Sequence, residues 1–220
     1  MTRRLAMVIV GAALACTATA PGFAQDKVQR KDVEVGPVVG VNFYRFGGSD
    51  AQGFTTRTSF YAGLALTVPL GASAFLQPEV LYSAEGAKAI FPDSGMGTIQ
   101  GTYKLAYLAV PVLFGARLEG SGTVEPRLFG GPVFKLDLTC EVEASAQGMS
   151  AKWTCTDAGL TAKSIAFGAA FGGAVALHTA WGELDLQVRY TYDFTRVYGQ
   201  SNVRNEGLSA GAGLSVSLPR

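Results

Sequence analysis

The chain has 220 residues, 28 of them glycine, with 48% hydrophobic residues, one histidine, three cysteines and a formal net charge of +1. So even a charge balance argues against a nucleic-acid binder or a polybasic membrane-surface protein. Glycine without a G-x-y period argues against collagen-like or low-complexity sequence, and the length suits one domain.

The first 24 residues read as a secretory signal peptide. Arg3 and Arg4 precede the apolar run Leu5 to Ala15, and Gly22-Phe23-Ala24 offers the small residues of a cleavage site before Gln25. The run is too short for a helical span of about 20 residues. Ala13-Leu14-Ala15-Cys16 only loosely matches an acylation site, with Ala where Leu is usual. Cleavage would remove two of the 18 basic residues and none of the 17 acidic ones, leaving a net charge of −1. The domain is then residues 25–220.

From there one parity of residues is repeatedly apolar while the other is small or polar. In Phe60 to Leu70 the even positions are Phe, Ala, Leu, Leu, Val and Leu, and the odd ones Tyr, Gly, Ala, Thr and Pro. Period two is the pattern of a strand, whose successive side chains point to opposite faces. Strands are expected near Val33–Tyr44, Thr58–Leu70, Phe75–Glu85, Thr102–Ala116, Val124–Leu138, Lys163–Leu177, Glu183–Phe194 and Glu206–Leu218. Short turns at Gly71–Ala74, Glu119–Thr123 and His178–Gly182 alternate with long polar segments at Arg45–Arg57, Gly86–Gly101, Thr139–Thr161 and Thr195–Asn205. Alternating strands joined in this way describe an all-β fold, an eight-stranded antiparallel transmembrane β-barrel of up-and-down meander type. Both termini would lie in the periplasm.

The apolar parity carries Val35, Val39, Val41 and Phe43 in the first strand, Leu108, Val110, Val112 and Phe114 in the fourth, and Leu208, Leu214, Val216 and Leu218 in the last. Its aromatics gather at two heights. Phe43, Phe60, Tyr82, Phe134, Phe167, Tyr190 and Tyr192 lie toward the long loops, and Phe114 and Trp181 toward the short turns. Two aromatic belts bounding an apolar wall suit a membrane, so outer-membrane lipid is the expected surround.

The other parity is small on some strands (Gly36, Gly40, Gly63, Gly168, Gly172, Gly211) and long and charged on others (Gln77, Glu79, Arg127, Lys135, Asp185, Gln187, Arg189). An eight-stranded barrel is just wide enough for side chains to fill. Buried charges must pair, so Glu79 and Asp185 are expected to face Arg127 and Arg189 in a plugged lumen.

Three segments then resemble a known family. Leu76-Gln77-Pro78-Glu79-Val80-Leu81-Tyr82-Ser83, followed by Gly86-Ala87-Lys88, resembles the third-strand motif of PorT-like outer-membrane β-barrel proteins. Tyr107-Leu108-Ala109-Val110-Pro111-Val112-Leu113 and Leu128-Phe129-Gly130-Gly131-Pro132 resemble two further strands of that family. The resemblance spans the mature chain. It implies an eight-stranded outer-membrane barrel and, for one branch, service to a secretion apparatus. Two departures stand out: Ala109 replaces a usual Glu, and the chain ends Leu218-Pro219-Arg220 without the terminal aromatic of barrel assembly signals.

No catalytic, cofactor or metal constellation is apparent. His178 stands alone at a short turn, and the cysteines lack nearby histidines and CxxC spacing. The glycine-rich run Gly168–Gly173 lies within a strand rather than before a helix. An oxidising compartment makes a Cys140–Cys155 disulfide the expectation, since Cys16 leaves with the signal peptide. That bond would order the third long loop and present Trp153 outward as a candidate partner-binding residue. The expected role is that of a monomeric structural or interaction barrel. Its partners would be the barrel assembly machinery during biogenesis and an extracellular or secretion-system protein.

Overall fold

The computed structural model describes residues 32–93, 97–120, 122–146, 149–180, 182–199 and 201–218. The expected signal peptide, Trp181 and the terminal Pro219-Arg220 lie outside these. Nine strands follow in chain order: β1 Val33–Gly47, β2 Phe54–Pro69, β3 Ala74–Asp93, β4 Gly97–Arg117, β5 Val124–Ala146, β6 Met149–Thr154, β7 Ile165–Thr179, β8 Gly182–Arg196 and β9 Arg204–Leu218. Every pairing is antiparallel. Eight strands close into a barrel in the order β1-β2-β3-β4-β5-β7-β8-β9, with β9 returning to β1. The ninth, β6, pairs only with β5.

Parity sorts the side chains as the sequence implies. Val39, Val41, Phe43, Phe60, Leu64, Phe114, Phe171 and Val188 are exposed on the outside, while Glu79, Arg127, Lys135 and Arg189 are buried within. An apolar exterior around a charged interior inverts the arrangement of a water-soluble protein. Outward residues Leu208 to Leu218 run about 33 Å along β9, which at the usual barrel tilt of ~40° covers about 25 Å of height, the thickness of the apolar band.

The glycines serve the interior mainly by admitting aromatic rings. A Cβ on Gly40 or Gly211 would lie 2.4 or 2.1 Å from the Tyr61 side chain, and one on Gly115 would lie 2.0 Å from the Phe75 ring. Small residues on one wall thus make room for rings first, and the charged groups pack against those rings.

Two expected loops are corrected. Gly86–Gly101 and Thr139–Thr161 were expected as long polar loops, yet β3 and β4 remain paired up to Asp93 and Gly97. β5 continues to Ala146 and turns back as β6. These extensions stand beyond the end of β7, which begins opposite Leu136. They escape an outward-apolar pattern for a physical reason: above the bilayer the outer face carries Lys88, Lys104, Glu143 and Lys152 instead of lipid-facing residues, while the ladder continues. The other long connections are shorter than expected, as β1 extends to Gly47, β2 starts at Phe54, β8 reaches Arg196 and β9 begins at Arg204.

Candidate functional site

The lumen holds three tiers of charge. At mid-height Arg189 forks onto Glu79, Nη1 to Oε2 at 2.6 Å and Nη2 to Oε1 at 3.0 Å. Gln77 Nε2 donates to Glu79 at 2.7 Å, and Arg189 donates to Gln187 at 2.7 Å. A bidentate pair with further hydrogen bonds at both ends is the geometry in which a buried ion pair survives desolvation, although the Arg189 Nε–H is left without a partner among the described residues. The Arg189 guanidinium also lies over Tyr61 and Phe129, 5.6 and 5.8 Å from their centroids.

Toward the short turns, Arg127 meets Glu125 at 2.7 Å, Glu183 at 2.5 Å and Asp185 at 3.3 Å. Arg117 reaches Glu125 at 3.3 Å, and both arginines stack on Phe75. His178 belongs to this floor, with Nδ1 at 3.0 Å from Glu183. Toward the long loops, Lys135 sits between Glu85 at 2.7 Å and Asp193 at 2.9 Å, over the rings of Tyr44 and Tyr107. Asn205 also donates to Glu85. Asn42 ties this tier to the wall through Ser83, Ala84 and Ser209.

Of the four charged residues singled out from sequence, the structure pairs Glu79 with Arg189 and Asp185 with Arg127. It adds Glu85, Glu125, Glu183 and Asp193, which sequence reasoning missed. Their signal was present: each continues the inward parity of a residue already named, Glu85 after Glu79 and Asp193 after Arg189. Ala109, standing where the resembling motif has Glu, faces Lys135 across β4 and β5. Lys135 finds its carboxylates on β3 and β8 instead.

Voids between the tiers are small. One of about 20 Å³ lies among Tyr61, Lys135 and Arg189, and one of about 30 Å³ among Gln77, Arg127 and Asp185, each room for roughly one water. The short-turn end opens into a vestibule of about 390 Å³ beside Glu34, His178 and Glu183.

The long-loop end is closed by an apolar cap of Phe46, Leu105, Tyr107, Cys155, Val197, Tyr198 and Val203, with Phe54, Tyr103 and Val142 packed against it. Phe46 meets Phe54 and Tyr198 edge-on at centroid distances of 5.1 and 6.2 Å. The structure bonds Cys140 to Cys155, Cα atoms 5.4 Å apart, joining the root of the β5 extension to the segment after β6. Trp153 is 44% exposed. It stands opposite Val142, and directly opposed residues share a sheet face. So it projects from the face turned over the barrel mouth, whereas the outer face carries Lys152.

The sequence profile of the outer membrane protein β-barrel domain matches residues 23–199. The chain belongs to that family. This outer-membrane barrel closes with β9, beyond the matched span, so its last strand is placed by pairing with β1 and β8 rather than by the profile. Short turns of such barrels face the periplasm and long connections the exterior, which puts the vestibule inside and the cap outside. Among solved structures, the barrel is similar to the attachment invasion locus protein Ail of Yersinia pestis, at 13% identity over 84% of this chain and 99% of that one, with a TM-score of 0.41. It is also similar to Neisserial surface protein A, at 17% identity over 83% and 96%, TM-score 0.47. A third is the N-terminal barrel of Pseudomonas aeruginosa OprF, at 10% identity over 86% and 99%, TM-score 0.37. No curated protein matches the chain at a significant level.

Proposed function

We propose that this barrel is a closed, monomeric, non-enzymatic outer-membrane anchor that presents its β3–β6 ribbon to a protein partner. The observation that carries the reading is the pairing of a blocked lumen with a projecting, disulfide-tied sheet. Three ion-paired tiers and an apolar cap stand across the only axis a solute could follow, while Met149 and Trp153 are exposed above the mouth. A channel would need the opposite allocation, with polar residues at the mouth and space between the charges.

A second reading comes from the resemblance of Leu76–Lys88 to the PorT-like third-strand motif, which makes a secretion apparatus the partner. Planar-bilayer recording of the refolded protein tests the first element, the expected result being no stable conductance. A photocrosslinker at Trp153 or Met149 on intact cells tests the second. The same protein should be captured at both positions and not at lipid-facing Phe60. A periplasmic secretion component captured instead by a photocrosslinker in a short turn, at Ser73, would favour the second reading.

A further inference from the structure

Two groups of cations on the outer rim are treated differently by the fold. Above β4 to β6 each has a carboxylate: Lys104 pairs with Glu143, and Lys152 with Glu141 at 3.4 Å. Above β8, β9 and β1 the balance changes. Arg196 and Arg204 are directly opposed across β8 and β9. Their neighbours Val197 and Val203 are buried in the cap, so alternation turns both arginines to the lipid-facing side. Like charges placed opposite each other in a sheet repel, and here no carboxylate among the described residues lies within ion-pair distance of either.

Arg45 joins them from β1, which places Gly47 opposite Arg204 and Arg45 opposite Glu206. Glu206 is the single carboxylate of the group. It is engaged by Arg45 at 2.9 Å and by the Tyr190 hydroxyl at 3.1 Å. Arg204 donates Nη1 to the Tyr192 hydroxyl at 2.8 Å. Asp50, across the first loop, feels the Arg196 charge without pairing with it and is held by Asn202 and Ser49. Three guanidiniums therefore meet one bound carboxylate, directly above the aromatic belt of Phe43, Tyr190, Tyr192 and Phe194.

We propose that Arg196, Arg204 and Arg45 form a seat for the phosphate-bearing headgroup of an outer-leaflet lipid. The height argues for a lipid rather than a soluble anion: the arginines share the lipid-facing parity of Phe43, Phe194 and Leu208, with Arg45 and Arg196 two residues beyond the first two and Arg204 four beyond the third. Arginine suits the task because its planar fork matches phosphate oxygens in a bidentate way. An anion between Arg196 and Arg204 converts a cross-strand repulsion into a bridge. The acyl chains then lie along the exposed wall of Val188, Leu208 and Val41.

The test uses the full mature chain in nanodiscs of zwitterionic lipid carrying a small fraction of bisphosphorylated lipid A, read by native mass spectrometry. The wild type should retain the phosphorylated lipid. R196Q/R204Q should weaken retention about 30-fold, at roughly fivefold for each charge removed near the membrane surface. R196K/R204K, which keeps the charge and loses the bidentate fork, should fall between wild type and R196Q/R204Q, and K104Q/K152Q should behave as wild type. Equal retention by R196Q/R204Q and wild type overturns the proposal. So does stabilisation of the detergent-solubilised wild type by inorganic phosphate as large as that given by lipid A, which would make this a soluble-anion site. Heat-modifiable gel migration checks folding of each variant. Should R196Q/R204Q fail to fold, wild-type retention must still fall as salt rises from about 0.05 M to about 0.5 M; retention that ignores salt also overturns it.

Discussion

The lumen and the cap fill one cylinder by opposite means. Below, long charged side chains reach in from β3, β5 and β8 and are neutralised in pairs stacked on tyrosine and phenylalanine rings. Above, loops and strand extensions bring apolar side chains together and a disulfide ties them. The difference follows from what each region's wall allows. Within the bilayer the outward parity is given to lipid, so the inward parity must bury whatever a narrow barrel can hold, and ion pairs define one arrangement. Beyond the bilayer both faces of the ribbon meet water or protein. There the ordinary rule returns, with apolar groups inside and Lys104, Glu143 and Lys152 outside.

The sharpest way to break the comparison is to remove one partner of a lumen pair. Arg189→Ala leaves Glu79, 1% exposed, as an uncompensated buried carboxylate. The expected loss is about 3–5 kcal/mol, seen as a lower urea midpoint of the refolded barrel in micelles. Arg189→Met with Glu79→Gln removes both charges and should restore most of the loss. A single variant as stable as wild type would mean that water enters the lumen and that the tier is not sealed.

The cap should answer to a different chemistry. Replacing Cys140 and Cys155 by serine frees a 15-residue separation, worth about 3 kcal/mol in the chain-entropy model. The effect should be local, with faster proteolysis in the β5–β6 segment and little change in the barrel's urea midpoint. Mass spectrometry of the exported protein, alkylated without reduction, checks the bond itself: label on both cysteines would remove it. A smaller effect is expected from Leu105→Ala. Leu105 is 1% exposed in the cap, and truncation costs about 2–3 kcal/mol where neighbours can relax into the space. Its signature should again be confined to the outer end.

The same contrast explains what could be read in advance. The barrel strands were legible because lipid forces a continuous apolar parity, so Phe60 to Leu70 reads as a strand at once. The inward charges Glu79, Arg127, Asp185 and Arg189 were legible because only a closed lumen tolerates them in such a strand. Pairing was not, since Arg127 turns to Glu183 and Glu125 as well as Asp185, a choice set by barrel stagger rather than by alternation. The ribbon was illegible for a related reason. Ala87, Ala89, Gly101, Ala144 and Ala151 supply an inward face of small residues, and small residues interleaved with lysine and glutamate look like loop. The cap draws on Phe46, Tyr103 and Val203 from three separate segments, and no local pattern links them.

The weakest contact across the mouth gives the finest test. Asp50 accepts the backbone N–H of Asn202 at 2.8 Å and the Ser49 hydroxyl at 2.9 Å, clasping the β1–β2 loop to the β8–β9 loop. The hydrogen bond from Asn202 holds the Asp50 carboxyl below its ordinary value of 3.8, with Ser49 and the Arg196 charge adding to the effect. A carboxyl depressed in the folded state stabilises it above the unfolded value and loses that contribution as pH falls through the folded one. The clasp should therefore be intact at neutral pH and loosen only below about pH 4, while the sealed lumen beneath is unaffected. Amide hydrogen exchange at Asn202, corrected for its intrinsic pH dependence, should show protection held down to about pH 4 and falling as the pH drops further. In Asp50→Asn the fall should vanish, because the side-chain carbonyl still accepts the N–H and no longer titrates. Protection that drops equally in both proteins would assign the loosening to the cap as a whole, and would show the two halves of the cylinder to be coupled where the structure separates them.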